Sequence, residues 1–427
     1  MSKIIARGAP LDVDRFPSTL VVPPPGVPAY GGTVFTGKDG VIDMHYTHVL
    51  PGCPRDPFAD TDYFYLAVKS STDNGRTWSE HQPLVDPFGN EIRASHHSVI
   101  RLKSGKLGLV QQDYSGPKVH PGRDQGADYV FRTSDDEGRT WSDAVNIFPL
   151  HGMCTSGHAL VMSDGRIVAP SFRWVSHDAT AESEEFFSPS LSFCFVMVSD
   201  DEGKTWTHSR SELFISDYRA AYDLEEPSAV ELKDGRLLML MRSQVGRIYR
   251  SYSEDGGICW SRPEGLPIAS AYTPTLVSRM PGGELLMTWN QSSRQEILTG
   301  THRIRLSCAI SRDAGETWEN FKNLESLDDE TVVTPPADGR IEVIEQWQDP
   351  GYYQPTNTQR YHRVPGVIRV CYPSVAFWGD EAIITYDYGL GTLNDEQDVA
   401  AAEAGAVPRF GNYAIKCRTI PINWFLS

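Results

Sequence analysis

One eight-residue pattern recurs along the chain and limits its possible folds more than any other feature. The pattern Ser-x-Asp-x-Gly-x-Thr-Trp occurs at Ser71–Trp78, Ser134–Trp141 and Ser199–Trp206, and with small departures at Ser253–Trp260 and Ser311–Trp318. The closing tryptophans of successive copies lie between 54 and 65 residues apart. A recurring unit of this length is typical of repeat architectures.

Each copy of the pattern predicts a turn between two antiparallel strands. Its Asp can accept hydrogen bonds from the backbone of the turn. Its Gly supplies positive φ at little steric cost, and its Trp can pack against the sheet. Each copy also follows an alternating or apolar run that is typical of a strand: Tyr63–Lys69, Tyr129–Thr133, Phe193–Val198, Arg247–Tyr252 and Leu306–Ile310.

A second turn lies upstream of each box and joins two further hydrophobic runs. These turns are centred on Asp39, Ser104, Asp164, Asp234 and Gly282. A sixth unit has the first hairpin, with its turn near Asp380, but lacks the box. Six units of four short antiparallel strands predict an all-β fold, a six-bladed β-propeller. We expect one domain over residues 1–427, with an N-terminal arm over about residues 1–25 and an insertion over residues 390–410.

Composition restricts the classes of partner and cofactor. The formal net charge of −17 over 427 residues argues against nucleic acid and anionic membranes as general partners. No apolar run is long enough to span a membrane, and the N-terminus shows no secretory signal. The seven cysteines are scattered without a CxxC pair, so we expect a cytoplasmic protein with no disulfide framework, no metal site and no cofactor. Nothing in the sequence predicts the oligomeric state.

The repeat also predicts which face of the disc carries chemistry. Both turns of a blade lie on one face, because strands alternate in direction. The start of the first strand, the end of the second and the start of the third therefore meet on the opposite face, around the axis. Counting eight residues back from the first turn of each blade places these residues on that rim: Gly31, His96, Ser156, Glu226, Pro274 and Tyr372. Arg242, Arg303 and the pair Asp60 and Asp62 reach the same rim from neighbouring strand ends.

These features resemble the sialidase (neuraminidase) superfamily, six-bladed propellers that carry this Asp-box repeat. Beyond the boxes, the resemblance is clearest in EEPSAVELKDGRLLMLMRS, THRIRLSCAISRDAG and CYPSVAFWGDEAIITYDYG. It implies that Tyr372 is the nucleophile and Glu226 its base. It implies that Arg242 and Arg303, with Arg305 as the alternative to Arg303, bind the substrate carboxylate. Asp62 resembles the acid/base aspartate, with Asp60 as the alternative.

The chemistry of an acidic sugar explains why a tyrosine would serve as nucleophile. A sialic acid bears a carboxylate on its anomeric carbon, which would repel an anionic carboxylate nucleophile. Most glycosidases use two carboxylates, and sialidases are an exception because their nucleophile is a tyrosine. A phenol has a pKa near 10, so a neighbouring base such as Glu226 must accept its proton. Arginine forks can hold the substrate carboxylate in bidentate fashion.

One part of the family pattern is not matched. Sialidases carry Arg-Ile-Pro in the first inner strand, whereas this chain has Ala29–Thr33 there, without an arginine. Arg93, Arg123 and Arg173 are candidates from other rims. The pair His96 and His97 offers acid or base groups near neutral pH. Two alternatives to a glycoside hydrolase acting on a small carbohydrate or oligosaccharide therefore stay open: a lyase acting on uronates through His and Tyr, and a non-catalytic propeller that binds glycans or proteins.

Overall fold

The computed structural model describes residues 10–27, 32–49, 64–113, 128–148, 153–155, 158–175, 191–215, 224–243, 246–271, 273–293, 296, 303–331, 368–390 and 413–427. Its strands are, in chain order, β1 (Ser18–Val27), β2 (Thr33–Thr36), β3 (Ile42–Val49), β4 (Phe64–Ser71), β5 (Gln82–Pro83), β6 (Ala94–Arg101), β7 (Leu107–Asp113), β8 (Asp128–Ser134), β9 (Val145–Phe148), β10 (Met153–Thr155), β11 (Leu160–Val161), β12 (Ile167–Val175), β13 (Leu191–Ser199), β14 (Thr207–His208), β15 (Leu224–Glu231), β16 (Leu237–Ser243), β17 (Arg247–Ser253), β18 (Glu264–Ala269), β19 (Leu276–Arg279), β20 (Leu285–Trp289), β21 (Leu306–Ser311), β22 (Glu319–Glu325), β23 (Ile368–Trp378), β24 (Glu381–Leu390) and β25 (Tyr413–Pro421). Helical turns within these ranges include Asp12–Arg15, Lys38–Gly40 and Ile422–Leu426.

The strands form six antiparallel sheets, which we number as blades one to six. Blade one is β2–β5, blade two β6–β9, blade three β10–β14, blade four β15–β18 and blade five β19–β22. Blade six has the order β1-β25-β24-β23, so its outer strand comes from the N-terminal segment. The segment that the sequence suggests as an arm therefore contributes a strand from Ser18 onward. The suggested insertion at 390–410 lies outside the described residues from position 391 onward.

The blades close into a ring around the first strand of each blade. Contacts between neighbouring blades run from β2 to β6, β6 to β11, β12 to β15, β15 to β19, β19 to β23 and back from β23 to β2. The chain is therefore a six-bladed β-propeller, as the repeat predicts.

The hydrophobic core consists of six layers, one between each pair of adjacent blades. Between blades three and four, for example, Phe172 and Val196 pack with Met239 and Trp260. The same arrangement recurs at the other five junctions. Since every blade is buried on both faces by its neighbours, its strands are apolar on both sides, which is why their sequences show long hydrophobic runs.

The Asp boxes stabilise the outer hairpins through a fixed set of hydrogen bonds. In blade two, Ser134 Oγ donates to Asp136 Oδ1 (2.8 Å), Thr140 Oγ1 donates to Asp136 Oδ2 (2.7 Å), and Trp141 Nε1 donates to the Gly138 carbonyl (3.0 Å). In blade four Cys259 replaces the threonine, and its backbone N–H still donates to the box aspartate at 2.8 Å. The box is thus a structural turn on the face away from the convergent strand ends.

None of the helices in the described part of the chain has the length and apolar character that a membrane crossing requires.

Candidate active site

Three inner strands share one backbone irregularity. In β6, β15 and β23 the register with the next strand shifts at a single point, as in a β-bulge. At these points His96, Glu226 and Tyr372 have positive φ values of 42°, 43° and 51°. Left-handed non-glycine residues are strained and concentrate at functional sites. These are the residues that the count from the turns places on the rim of blades two, four and six.

Tyr372 of blade six and Glu226 of blade four are in direct contact. Tyr372 Oη donates a hydrogen bond to Glu226 Oε1 at 3.0 Å, although the two residues lie on different blades. Glu226 is only 4% exposed. The strained bulges of β15 and β23 therefore aim a phenol and a carboxylate at one another inside the ring.

Arg242 binds the other oxygen of Glu226. Its Nη1 donates to Glu226 Oε2 at 2.5 Å, and its Nη2 and Nε donate to Glu225 Oε2 at 2.5 and 3.2 Å. Arg242 lies on β16, where it is paired in register with Glu225. All three side chains are buried. The guanidinium fork thus fixes the orientation of Glu226 and leaves Oε1 turned toward Tyr372.

Arg303 approaches Tyr372 from blade five. Its guanidinium carbon lies 5.6 Å from the centroid of the Tyr372 ring, and its Nη1 donates to Cys371 Sγ at 3.3 Å. A backbone hydrogen bond from Val370 N to the Arg303 carbonyl (2.8 Å) holds the two blades together at this point. The structure therefore brings Glu226, Arg242, Arg303 and Tyr372 into one cluster, which we call the axial cluster.

Burial governs the proton affinities of the reacting pair. It raises the pKa of Glu226, and the positive charge of Arg242 opposes that shift. Burial also raises the pKa of the Tyr372 phenol, and the nearby Glu226 carboxylate adds to the increase. A raised pKa makes Glu226 a stronger base than an ordinary glutamate, which suits it to accept the phenolic proton.

Two further candidates, Arg305 and Arg173, are not part of the axial cluster. Arg305 Nη1 forms an ion pair with Glu296 (2.7 Å), and its Nη2 contacts Asp328 (3.3 Å). Arg173 lies on β12, paired in register with Phe193. Within the described ranges no hydrogen bond, ion pair or ring contact links either arginine to Tyr372 or Glu226. Asp60 and Asp62 fall outside the described residues.

The two adjacent histidines have different surroundings. His96 lies close to Arg242 and accepts or donates a hydrogen bond with the Gln112 side chain, and burial lowers its pKa to about 3. His97 is 3% exposed and lies beside His45, with ring centroids 6.5 Å apart. Burial lowers the pKa of His97 to about 3 as well. Both rings are therefore neutral near pH 7.

Replacing His97 by Gln should make the free energy of unfolding less dependent on pH. Burial lowers the His97 pKa from 6.5 to about 3 in the folded chain. The neighbouring His45 and His158 lower this pKa further by electrostatic repulsion of the protonated ring. The unfolded chain gains a proton below pH 6.5 that the folded chain does not, so stability present above that pH is lost as the pH falls. The loss is at most about 1.4 kcal/mol per pH unit.

The measurement is urea denaturation of both proteins at about pH 7.5 and about pH 5. Glu226 and Asp387 titrate in the opposite sense because burial raises their pKa values. The prediction therefore concerns the difference between wild type and variant in how the free energy of unfolding changes with pH. Parallel pH curves for the two proteins would contradict it.

The sequence reasoning missed four residues around the axial cluster. They are Glu225, which binds Arg242, and Cys371, Asp387 and Arg369, which lie beside Arg303. The dipeptide Glu225-Glu226 is a sequence signal for Glu225, because two adjacent carboxylates can bind one buried arginine together. The other three depend on the pairing of β23 with β24, which the count from the turns does not resolve.

Among the described residues, no group of three or more His, Cys, Asp or Glu side chains has the arrangement to hold a metal ion. Five cysteines whose side chains the structure describes are free thiols: Cys194, Cys259, Cys308, Cys371 and Cys417.

Comparison with protein-family models identifies one match. A model described as a BNR repeat-like domain matches residues 66–384, which is most of the chain. A curated sialidase from Bacteroides fragilis (strain YCH46) is 25% identical over 325 residues, which cover 67% of this chain and 53% of that protein. The chain thus spans about half the length of this relative.

Solved structures share the architecture at lower identity. The Trypanosoma rangeli sialidase in complex with the inhibitor DANA matches with a TM-score of 0.57 and 14% identity, over 94% of this chain and 59% of that one. A protein of unknown function from Dyadobacter fermentans DSM 18053 matches with a TM-score of 0.57 and 14% identity, over 95% of this chain and 99% of that one. At such identities the likeness establishes the fold.

Proposed function

Because the chain belongs to the BNR repeat-like family of the sialidase superfamily, we propose that it is a retaining exo-glycosidase that removes a terminal acidic sugar of the sialic-acid type. The observation that carries this proposal is the 3.0 Å hydrogen bond from Tyr372 Oη to Glu226 Oε1. A half-buried phenol that donates to a buried carboxylate is a nucleophile with its base in place.

In the first step, Tyr372 Oη attacks the anomeric carbon as the bond to the leaving oxygen breaks. Glu226 accepts the phenolic proton, and a general acid protonates the leaving oxygen. We assign that acid to Asp62, with Asp60 as the alternative, on the strength of the family pattern. The step leaves the sugar bound covalently to Tyr372.

In the second step, water attacks the same carbon from the side that the leaving group vacated. The tyrosyl oxygen departs and recovers its proton from Glu226, while the aspartate accepts a proton from the water. Two inversions at one carbon give net retention of configuration. Arg242 holds Glu226 in place during both transfers through its 2.5 Å contact with Oε2.

The electrostatics of the axial cluster favour an acidic substrate. The whole chain is acidic, with a net charge of −17. The positive charges of Arg242 and Arg303 nevertheless both act on Tyr372. A sugar that carries its own carboxylate would be attracted by these guanidinium groups. Tyrosine, being neutral before attack, avoids repulsion with that carboxylate.

His96 is proposed to contact the substrate as a neutral hydrogen-bonding group. It has the same left-handed bulge as Glu226 and Tyr372 and lies beside Arg242 and Gln112. Its pKa of about 3 makes it a weak base near neutral pH. This weighs against uronate elimination with His96 as the base.

The test is a screen of aryl glycosides of sialic acid, Kdo, Kdn and uronic acids, followed by NMR of the first-formed anomer. We expect turnover of an acidic ketoside with retained configuration. Inversion, or an unsaturated product that absorbs in the ultraviolet, would refute the proposed mechanism. Binding of an acidic sugar without any turnover would indicate a lectin-like propeller instead.

A further inference from the structure

The dipeptide Glu225-Glu226 places two adjacent carboxylates on one arginine. In a regular strand, adjacent side chains point to opposite faces of the sheet, so two adjacent glutamates would not both reach Arg242. The register of β15 with β16 is regular at Glu225, which lies opposite Arg242, and it shifts before Ser228. Glu226 lies in this bulge with a φ of 43°. The bulge therefore allows Glu226 to bind the guanidinium group that Glu225 already faces.

Glu225 takes the larger share of the Arg242 donors. Its Oε2 accepts from Nη2 at 2.5 Å and from Nε at 3.2 Å, whereas Glu226 Oε2 accepts from Nη1 at 2.5 Å. The exposed fractions are 1% for Glu225, 4% for Glu226 and 6% for Arg242. Glu225 thus binds two of the three guanidinium nitrogens in a place where water screens charge only weakly.

The formal charge of this triad suits the proton transfer that Glu226 is proposed to make. With both carboxylates ionised, Glu225, Glu226 and Arg242 together carry one net negative charge. The triad becomes neutral when Glu226 accepts the phenolic proton of Tyr372. If Glu225 were uncharged, the same transfer would give a neutral pair a net positive charge. Because a net charge is costly in a buried site, Glu225 favours the transfer.

Groups on other strands act on Glu226 as well. Burial is the largest cause that raises the pKa of Glu226, and the charge of Arg242 opposes it. The charge of Glu225 raises this pKa further, while Arg303 and the hydrogen bond from Tyr372 lower it by smaller amounts. Of these groups, Glu225 supplies the negative charge that opposes the two arginines.

Two further titratable groups at this site are uncharged near pH 7. Cys194 of β13 acts on both Glu225 and Glu226, and burial raises the pKa of its thiol well above the usual value. His96 of blade two acts on Arg242, and burial lowers its pKa to about 3. Neither group therefore competes with Glu225 for control of the charge on Glu226.

We propose that Glu225 is a positioning residue: it holds Arg242 by two nitrogens and shares its charge, so that the arginine orients Glu226 toward Tyr372 without greatly weakening it as a base. The inference rests on the proposed function for the identity of the base. It concerns the proton affinity of Glu226, however, which can be measured without a substrate.

The test is an NMR pH titration of the protein labelled with ¹³C in its glutamate carboxyl groups. The Glu226 signal is assigned by its absence in Glu226→Gln. Glu225→Gln keeps the shape of the side chain and removes its charge, so the titration midpoint of Glu226 should fall by at least about half a pH unit. Glu225→Asp keeps the charge, and its midpoint should fall by less than about half as much.

The same change should appear in the kinetics. Glu226 must be ionised to accept the proton, so the acid limb of kcat/KM reports its titration in the free enzyme. In Glu225→Gln this limb should move to lower pH. A loss of kcat/KM by the same factor at every pH would reveal a purely structural role and overturn the proposal.

Glu231→Gln is the matched control. Glu231 lies on the same strand, is also buried, and accepts hydrogen bonds from Ser163 N (2.9 Å) and Ser163 Oγ (2.6 Å). Its replacement should leave the Glu226 midpoint within about 0.2 pH unit of wild type. An unchanged midpoint in Glu225→Gln, or an equal shift in Glu231→Gln, would overturn the proposal. Failure of the proposed function shows separately, as absence of turnover in the glycoside screen, and does not alter the titration.

Discussion

Replacing Tyr372 by Phe is expected to abolish turnover and to leave ligand binding almost intact. The substitution removes only the oxygen that donates to Glu226 Oε1 at 3.0 Å, and it keeps the ring that lies 5.6 Å from the Arg303 guanidinium carbon. Loss of a nucleophile costs several orders of magnitude in rate, so kcat should fall at least about 10³-fold. The Kd of a competing acidic sugar, measured by calorimetry, should change by less than about threefold.

Tyr388→Phe is the control for this experiment. Tyr388 lies on β24 of the same blade, where its ring packs 4.8 Å from Lys416 Nζ. Removing its hydroxyl keeps that packing and should leave kcat within about twofold of wild type. If Tyr372→Phe keeps more than about a tenth of wild-type kcat, the tyrosine is not the nucleophile and a different group must attack the sugar.

The sequence predicted the architecture because the fold depends on local, repeated signals. Each box contains its own turn geometry, so five copies indicate five outer hairpins without any knowledge of distant pairings. The count from each first turn also worked across a bulge. His96, Glu226 and Tyr372 all lie at the same distance from their turns, and all three have positive φ. The repeat therefore predicted both the fold and the positions of these three residues on the rim.

The remaining features depend on pairings that no local pattern encodes. The outer strand of blade six is β1, which pairs with β25 across almost the whole chain. Arg303 and Arg305 differ by two positions, yet one contacts Cys371 and the other Glu296. The two arginines have different neighbours because blade six packs against blade five at Arg303. Arg369 was overlooked for a related reason, since its place beside Arg303 follows from the packing of two blades and not from its distance to a turn.

A second large effect, a loss of stability, is expected at the junction of blades five and six. Glu325 of β22 is completely buried and accepts hydrogen bonds from Tyr386 Oη (2.7 Å), Lys416 Nζ (2.6 Å) and Arg418 Nη2 (3.2 Å) on blade six. Arg418 Nη2 also binds Asp14 of the N-terminal turn at 2.7 Å. This one carboxylate therefore joins blade five, blade six and the N-terminal segment.

Glu325→Gln should lower the free energy of unfolding by about 3–5 kcal/mol, because it removes the buried negative charge that Arg418 and the half-buried Lys416 share. The measurement is urea denaturation near pH 7, with the slope of the transition compared between proteins. Glu319→Gln on the same strand removes the same charge from an exposed pair with Arg312 (2.7 Å), and it should cost less than about 1 kcal/mol. An equal loss of unfolding free energy in both variants would contradict the prediction, because the buried ion pairs of Glu325 would then contribute no more than the exposed pair of Glu319. The contact between blades five and six would in that case depend on their hydrophobic layer rather than on Glu325.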